Sequence, residues 1–212
     1  LTYIFYSISK LLSAITIYSP FEWAFVYRLF ASILGWLSII CLIHLSKKFI
    51  INQYSFYSVF LVSTLFWFYP YFHARTSSEN FGCSFLIIGI TAFLYSDRRY
   101  LKNLFFFISE IIFGLSFLAR YTNIVPLFGF GLWALIINKR KFHELFFVAL
   151  GFSVIFFIGI LIDYWGYNQF LLSSLNYFLI NFEHNQMQYF TSFPWWYNFF
   201  LIITEFLPPL SI

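Results

Sequence analysis

Most basic residues in this chain fall in every second gap between apolar runs, and that alternation constrains the fold more than any other feature. Apolar runs lie at 2–17, 24–45, 55–72, 81–96, 103–119, 124–138 and 144–162, and a last one begins near Tyr197. Eight of the twelve basic residues, Lys47, Lys48, Arg98, Arg99, Lys102, Lys139, Arg140 and Lys141, fall in three alternate gaps. Loops on the cytoplasmic face of a membrane carry such an excess, so these three gaps are expected inside. The other gaps, 18–23, 73–80, 120–123 and 163–196, are then expected outside, lumenal or periplasmic. Roughly 20 apolar residues cross a bilayer as a helix, and lipid leaves no partner for an open strand. The expected fold is therefore all-α: a polytopic membrane helical bundle of about seven to eight apolar helices. It forms a single transmembrane domain over 1–212 with a long extracytosolic loop at about 163–196. The run at 2–17, broken by Lys10, can be a short span or a helix lying on the membrane face.

Composition agrees. The chain is 61% hydrophobic and only 9% charged, with a mean hydropathy of +0.80, whereas soluble domains are about a quarter charged. The net charge of +4 is too small, and too confined to short loops, to point to nucleic acid. Cys41 and Cys83 both fall in apolar runs and read as small hydrophobes rather than a disulfide or metal pair. The histidines are scattered without a ligand spacing, so neither a metal nor a cofactor is expected. No paired Gly/Pro-interrupted spans suggest inverted repeats, and no internal period is visible. Leu1 at the start, and an apolar run still open at Ile212, read as a piece of a longer protein.

Four cations stand outside the basic gaps: Lys10, Arg28, Arg75 and Arg120. Arg75 and Arg120 sit on the expected outer rim, against the charge bias. A lipid phosphate held there would account for both, since a guanidinium grips phosphate with two donors. The competing account is that each snorkels to the headgroups or pairs with a carboxylate. In the octet His73–Asn80, Ser77 or Ser78 can cap the next helix, whose start favours anions. If that octet is helical, Arg75 and Glu79 are placed to pair four residues apart. Glu110, midway along its run, needs a partner such as Lys10 or Arg28, or must stay protonated. Asp163 is either an interfacial charge ending a helix, a partner for Arg120, or a carboxylate orienting a sugar hydroxyl. Trp195, Trp196 and Tyr197 suit an aromatic belt or a surface on which a sugar ring stacks. The loop that holds them, with Asp163, Glu183, His184 and many amides, is where specificity is expected.

At these residues the chain resembles the Alg9-type and GPI mannosyltransferases, glycosyltransferase family 22 of the membrane-embedded C-type fold. Arg75-Thr76-Ser77-Ser78-Glu79-Asn80 resembles the family's Arg-Thr-x-Ser stretch, and Arg120-Tyr121-Thr122 its Arg-Pro-Thr. Asp163-Tyr164-Trp165-Gly166, Asn176-Tyr177, Asn181, Pro194-Trp195-Trp196-Tyr197 and Leu207-Pro208 follow in the family's order. Two departures stand out: the His of the Pro-Trp-His-Trp-Tyr element is absent, and Glu79 replaces the usual Asn of the GPI branch. The family's first lumenal loop, which bears the acidic catalytic base, would precede Leu1, so the chain by itself is expected to be inactive.

The resemblance implies inverting transfer of a sugar, mannose, from a polyprenyl-phosphate donor to a lipid-linked glycan on the lumenal or periplasmic side. It implies Arg75 and Arg120 on the phosphate, with Thr76 and Ser78 assisting, and Asp163, Trp195 and Tyr197 shaping the sugar site. The expected setting is the endoplasmic reticulum membrane in a eukaryote, or the plasma or inner membrane in a bacterium. The alternative is a transporter or flippase for a lipid-linked anion, using the same rim arginines without a base. A third is a non-catalytic membrane scaffold.

Overall fold

The computed structural model describes residues 2–14, 19–66, 68–96, 102–139, 142–170 and 172–182, with 194, 196, 197, 200 and 204. Nine α-helices are described: α1 (Thr2–Ala14), α2 (Pro20–Phe49), α3 (Gln53–Leu65), α4 (Phe68–His73), α5 (Ser78–Ser96), α6 (Lys102–Ala119), α7 (Ile124–Ile136), α8 (Phe142–Tyr167) and α9 (Ser173–Phe182). A single 3₁₀ turn, Tyr121–Asn123, joins α6 to α7. No strand occurs among the described residues, so the all-α membrane bundle expected from the sequence is what forms. Three helices, Pro20–Phe49, Ser78–Ser96 and Ala149–Tyr167, are long and apolar enough to cross a membrane; Leu104–Ala119 and Tyr121–Ile136 are shorter apolar helices. The chain divides into two compact units, Leu1–Ile162 and Asp163–Ile212.

Two spans depart from their expected bounds. The run at 55–72 is not one helix but two, α3 and α4, separated at an extended Phe66. Pro70 explains the break: it has no N–H, and its ring would strike the carbonyl four residues back, at Phe66, were the helix continuous. Helix α8 runs on through Asp163, Tyr164 and Trp165, five residues past the expected end of its span. The expected long loop also contains α9; Glu183, His184 and the rest of 183–193 lie outside the described residues.

Within the first unit α5 is the central helix. Its buried side includes Asn80, Phe81, Gly82, Ser84, Gly89, Thr91, Phe93, Leu94 and Ser96, many of them small. In lipid the hydrophobic effect does not drive one helix against another, so small residues that admit close backbone approach carry the packing. Helix α2 runs parallel to α5. Phe30 meets Phe81 at one end, and at the other Tyr95 donates its hydroxyl to the His44 carbonyl (2.9 Å) and Lys48 Nζ to that of Leu94 (2.9 Å). Helix α6 runs antiparallel to α5, from Ser116 bonded to Gly82 to Phe106 against Phe93. Helix α8 runs parallel to α6 in steps of one turn: Gly151 lies against Glu110, Ile155 against Gly114, and Gly159 against Leu118. These directions match those that the charge alternation demands.

Large apolar side chains point outward from α2, α7 and α8, among them Trp36, Phe128 and Phe157. An outward apolar face on a helix whose other side packs is how a bundle meets lipid. The apolar core proper is a cluster of Phe93, Leu94, Phe106, Phe113 and Ala134.

Candidate functional site

The end of the first unit opposite Lys47 and Lys48 collects the polar chemistry. Helix α5 starts at Ser78 because Ser77 caps it: the Ser77 Oγ accepts the backbone N–H of Asn80 at 3.3 Å. Glu79 occupies the first turn, where a carboxylate complements the helix dipole. Asn80 is 1% exposed, and its amide holds the preceding turn in place. Its Nδ2 donates to the carbonyls of His73 and Arg75, both at 2.9 Å. Its Oδ1 lies 2.9 Å from His73 Nδ1 and accepts a longer bond from Ser84 (3.4 Å). The His73 ring in turn packs on Gly35 of α2, where a Cβ would overlap it. One amide thus fixes the backbone from which Arg75 projects.

Arg75 lies outside the helix, so the pairing with Glu79 foreseen from their spacing does not form. The i, i+4 geometry requires both residues to be helical, and α5 begins three residues after Arg75. Its guanidinium instead stacks over the Tyr71 ring, 5.6 Å from the centroid. Stacking uses the flat face and leaves the in-plane N–H donors directed outward. Arg75 and Thr76 line a cavity of about 340 Å³ with Arg28, Tyr71 and Ala74. Among the described residues no carboxylate comes within ion-pair distance of Arg28 or Arg75.

Glu79 pairs with Arg120 across the helix packing, at 2.6 Å. The Arg120 Nε also donates to Thr122 Oγ1 at 2.9 Å. This answers two expectations at once: Arg120 takes its carboxylate from α5, and Glu79 is spent on Arg120. The Arg120 turn is seated on α5 by a second network. Asn123 Nδ2 donates to Ser116 Oγ (2.9 Å), which donates to the Gly82 carbonyl (2.8 Å). Gly82 is required there, since a Cβ would lie 2.7 Å from Asn123 Nδ2 and 3.0 Å from Arg120 Cβ. Arg75 and Arg120 are thus both anchored on the first turn and a half of α5.

Among the other residues singled out from the sequence, Ser78 makes only a long contact to Glu79 Oε2 (3.4 Å). Asp163 is half-buried in the last turns of α8 and belongs to the second unit, as does Tyr197. The Tyr197 N–H donates to the Pro194 carbonyl at 2.9 Å, and its ring neighbours Trp196 and Phe200. Trp195 lies outside the described residues. Among the described residues no group of three His, Cys, Asp or Glu side chains could hold a metal ion.

The sequence reading did not assign Arg28, Asn80 or Gly82 to the site. Arg28 had a legible signal: it precedes Lys48 by 20 residues, which at 1.5 Å per residue is about 30 Å, one hydrocarbon thickness. An arginine one membrane thickness from a lysine pair belongs at the opposite face.

The described helices form an all-α membrane bundle with Arg75 and Arg120 both anchored at the start of α5. The family is settled by comparison: the Alg9-like mannosyltransferase family model matches residues 1–211, and the chain belongs to that family of glycosyltransferases. No curated protein and no solved structure matches the chain.

Proposed function

We propose that this protein transfers a sugar, mannose, from a polyprenyl-phosphate donor to a lipid-linked glycan, with inversion, on the extracytosolic side of its membrane. The observation that carries the reading is the cavity in which Arg28 and Arg75 converge without a carboxylate among the described residues. Two guanidiniums at a membrane face are costly to hold together unless an anion joins them. A phosphate diester suits them, because each guanidinium presents a planar fork of donors to its oxygens.

The chemistry follows from the charges. An acceptor hydroxyl gives its proton to a carboxylate base as its oxygen attacks C1 of the sugar. The C1–O bond to phosphate breaks, and the electron pair leaves on the polyprenyl phosphate. Arg28 and Arg75 stabilise the charge that grows on that phosphate, with Thr76 donating from the same cavity. Arg120, held by Glu79 and Thr122, is assigned to the same phosphate, and Ser78 assists at the α5 terminus. Asp163, Trp195 and Tyr197 are assigned to the sugar site, the aromatic faces packing on sugar C–H groups. No residue of this chain is assigned the part of base.

In this reading the protein is a multi-pass membrane protein with Lys47 and Lys48 cytoplasmic, in the endoplasmic reticulum of a eukaryote or the plasma or inner membrane of a bacterium. The test is incubation of the full-length protein in membranes with a polyprenyl-phosphate mannose and a lipid-linked glycan. A glycan longer by one mannose, of inverted anomeric configuration, supports it. Movement of the lipid-linked substrate across the bilayer with no new glycosidic bond would replace it by the flippase reading.

A further inference from the structure

Glu110 is left over from everything above. It stands eight residues from the start of α6 and nine from its end, about 12 Å from one and 14 Å from the other, so it lies mid-membrane. The sequence suggested a lysine or arginine partner, Lys10 or Arg28; neither reaches it. Arg28 faces the cavity already described, and Glu110 is 1% exposed. One carboxyl oxygen has only a long contact from Ser109 Oγ (3.4 Å), and Oε2 has no hydrogen-bond partner among the described residues. A buried polar atom without a partner forfeits the full cost of its desolvation, so a ligand that supplies the bond is favoured.

Glu110 lines a cavity of about 290 Å³ among α5, α6, α7 and α8, open on the side where Phe128 is exposed. Its walls are otherwise Phe93, Phe113, Phe128, Phe130, Phe152 and neighbouring aliphatic groups, with Ser153 the single further polar residue among those described. The Ser153 hydroxyl donates to the Ala149 carbonyl (2.7 Å), which leaves its oxygen able to accept. Walls this apolar, opening on the outward apolar face, favour apolar guests over water. Its occupant therefore needs a slender apolar body with one polar group at the Glu110 wall.

We infer that this cavity binds a membrane-dissolved apolar molecule bearing a single hydroxyl, with the hydroxyl on Glu110. A hydroxyl suits the carboxyl in either protonation state, since it donates to a carboxylate and accepts from a carboxylic acid. A protonated amine, which has donors and no acceptor, suits only the carboxylate. Dispersion contacts with five phenylalanines then hold the chain. This inference is independent of the sugar-transfer reading, whose cavity involves other helices.

The test is photolabelling of the full-length protein in nanodiscs with a decanol that carries a diazirine, with the labelled residues read by mass spectrometry. Saturable labelling on Phe113, Phe128 or Phe152 is expected, displaced by decanol or farnesol but not by decane. Preference between the two alcohols tells a straight-chain from an isoprenoid source. Glu110→Leu should weaken labelling about five- to tenfold, the span of one buried hydrogen bond, and Glu110→Gln should preserve most of it. Gly131→Leu keeps the test sound should Glu110→Leu fail to fold. Gly131 lines the cavity, and its added Cβ meets nothing within 4 Å, so leucine there fills the space and abolishes labelling. Gly129→Leu, equally open but off the cavity, should leave it unchanged. Equal displacement by decane, stronger displacement by decylamine, or full labelling of Gly131→Leu would each overturn the inference.

Discussion

Replacing Asn80 by Asp keeps the size and shape of the side chain and reverses the chemistry of one end. Nδ2 now donates to two carbonyls, of His73 and Arg75, at 2.9 Å each; in the variant a carboxylate oxygen would face two carbonyl oxygens at that distance. Asn80→Ala deletes the whole amide, the two bonds that Nδ2 donates and the Oδ1 contacts with His73 Nδ1 and Ser84 Oγ. The Arg75 end of the turn is exposed and can recruit water, while His73 is half-buried, so Asn80→Asp loses the two bonds donated by Nδ2 at roughly 1–1.5 kcal/mol each. The expected cost is about 2–3 kcal/mol, a fall in Tm of about 4–12 °C for a chain of this size. Asn80→Asp adds the repulsion of its carboxylate oxygen by the two carbonyls, whereas Asn80→Ala adds the loss of the Oδ1 contacts with His73 and Ser84. Tryptophan fluorescence follows unfolding in detergent, the chain having seven tryptophans, and amide exchange over residues 74–79 reports the turn directly. If Asn80→Asp melts within about 0.5 kcal/mol of the parent, the range of neutral surface changes, the amide does not hold Arg75 and the reasoning fails.

Gly82→Ala should lower stability by about 1–3 kcal/mol, since its Cβ would lie 2.7 Å from Asn123 Nδ2 and break the bond to Ser116; an unchanged melting curve would refute this packing. Glu79→Gln should cost at most about 1 kcal/mol of stability, because the pair with Arg120 is well solvated, 36% and 45% exposed. A double-mutant cycle with Arg120→Ala measures the coupling, and a value well above that would mean the pair is effectively buried. With Cys41 and Cys83 replaced, a cysteine at Thr76 should react with a membrane-impermeant maleimide from outside, and one at Lys47 only after the membrane is opened. Reaction of both from the same side would overturn the topology.

The helices were legible because lipid imposes a simple demand, continuous apolar helix, and charge marks which ends share a face. The break between α3 and α4 was also written in the sequence, at Pro70, though an unbroken aromatic run concealed it. Pairings were less legible. Spacing made Glu79 a partner for Arg75, yet a helix that starts at Ser78 puts Arg75 off the helix, and the arginine nearest Glu79 in space is 41 positions away, at Arg120. Arg28 looked like a residue inside a span until the 30-residue length of α2 placed it near one end. Asn80 carries no pattern at all, because its work is to bond carbonyls that only the fold brings to it.

The account rests on an anion held between Arg28 and Arg75, and binding tests it most directly. A short-chain polyprenyl phosphate, titrated calorimetrically against the full-length protein in nanodiscs, should bind far more tightly than the matching polyprenol. Arg28→Ala and Arg75→Ala should each weaken it about 10- to 100-fold, as expected for one charge-assisted hydrogen-bonded contact. Undiminished phosphate binding by the double variant would contradict the account.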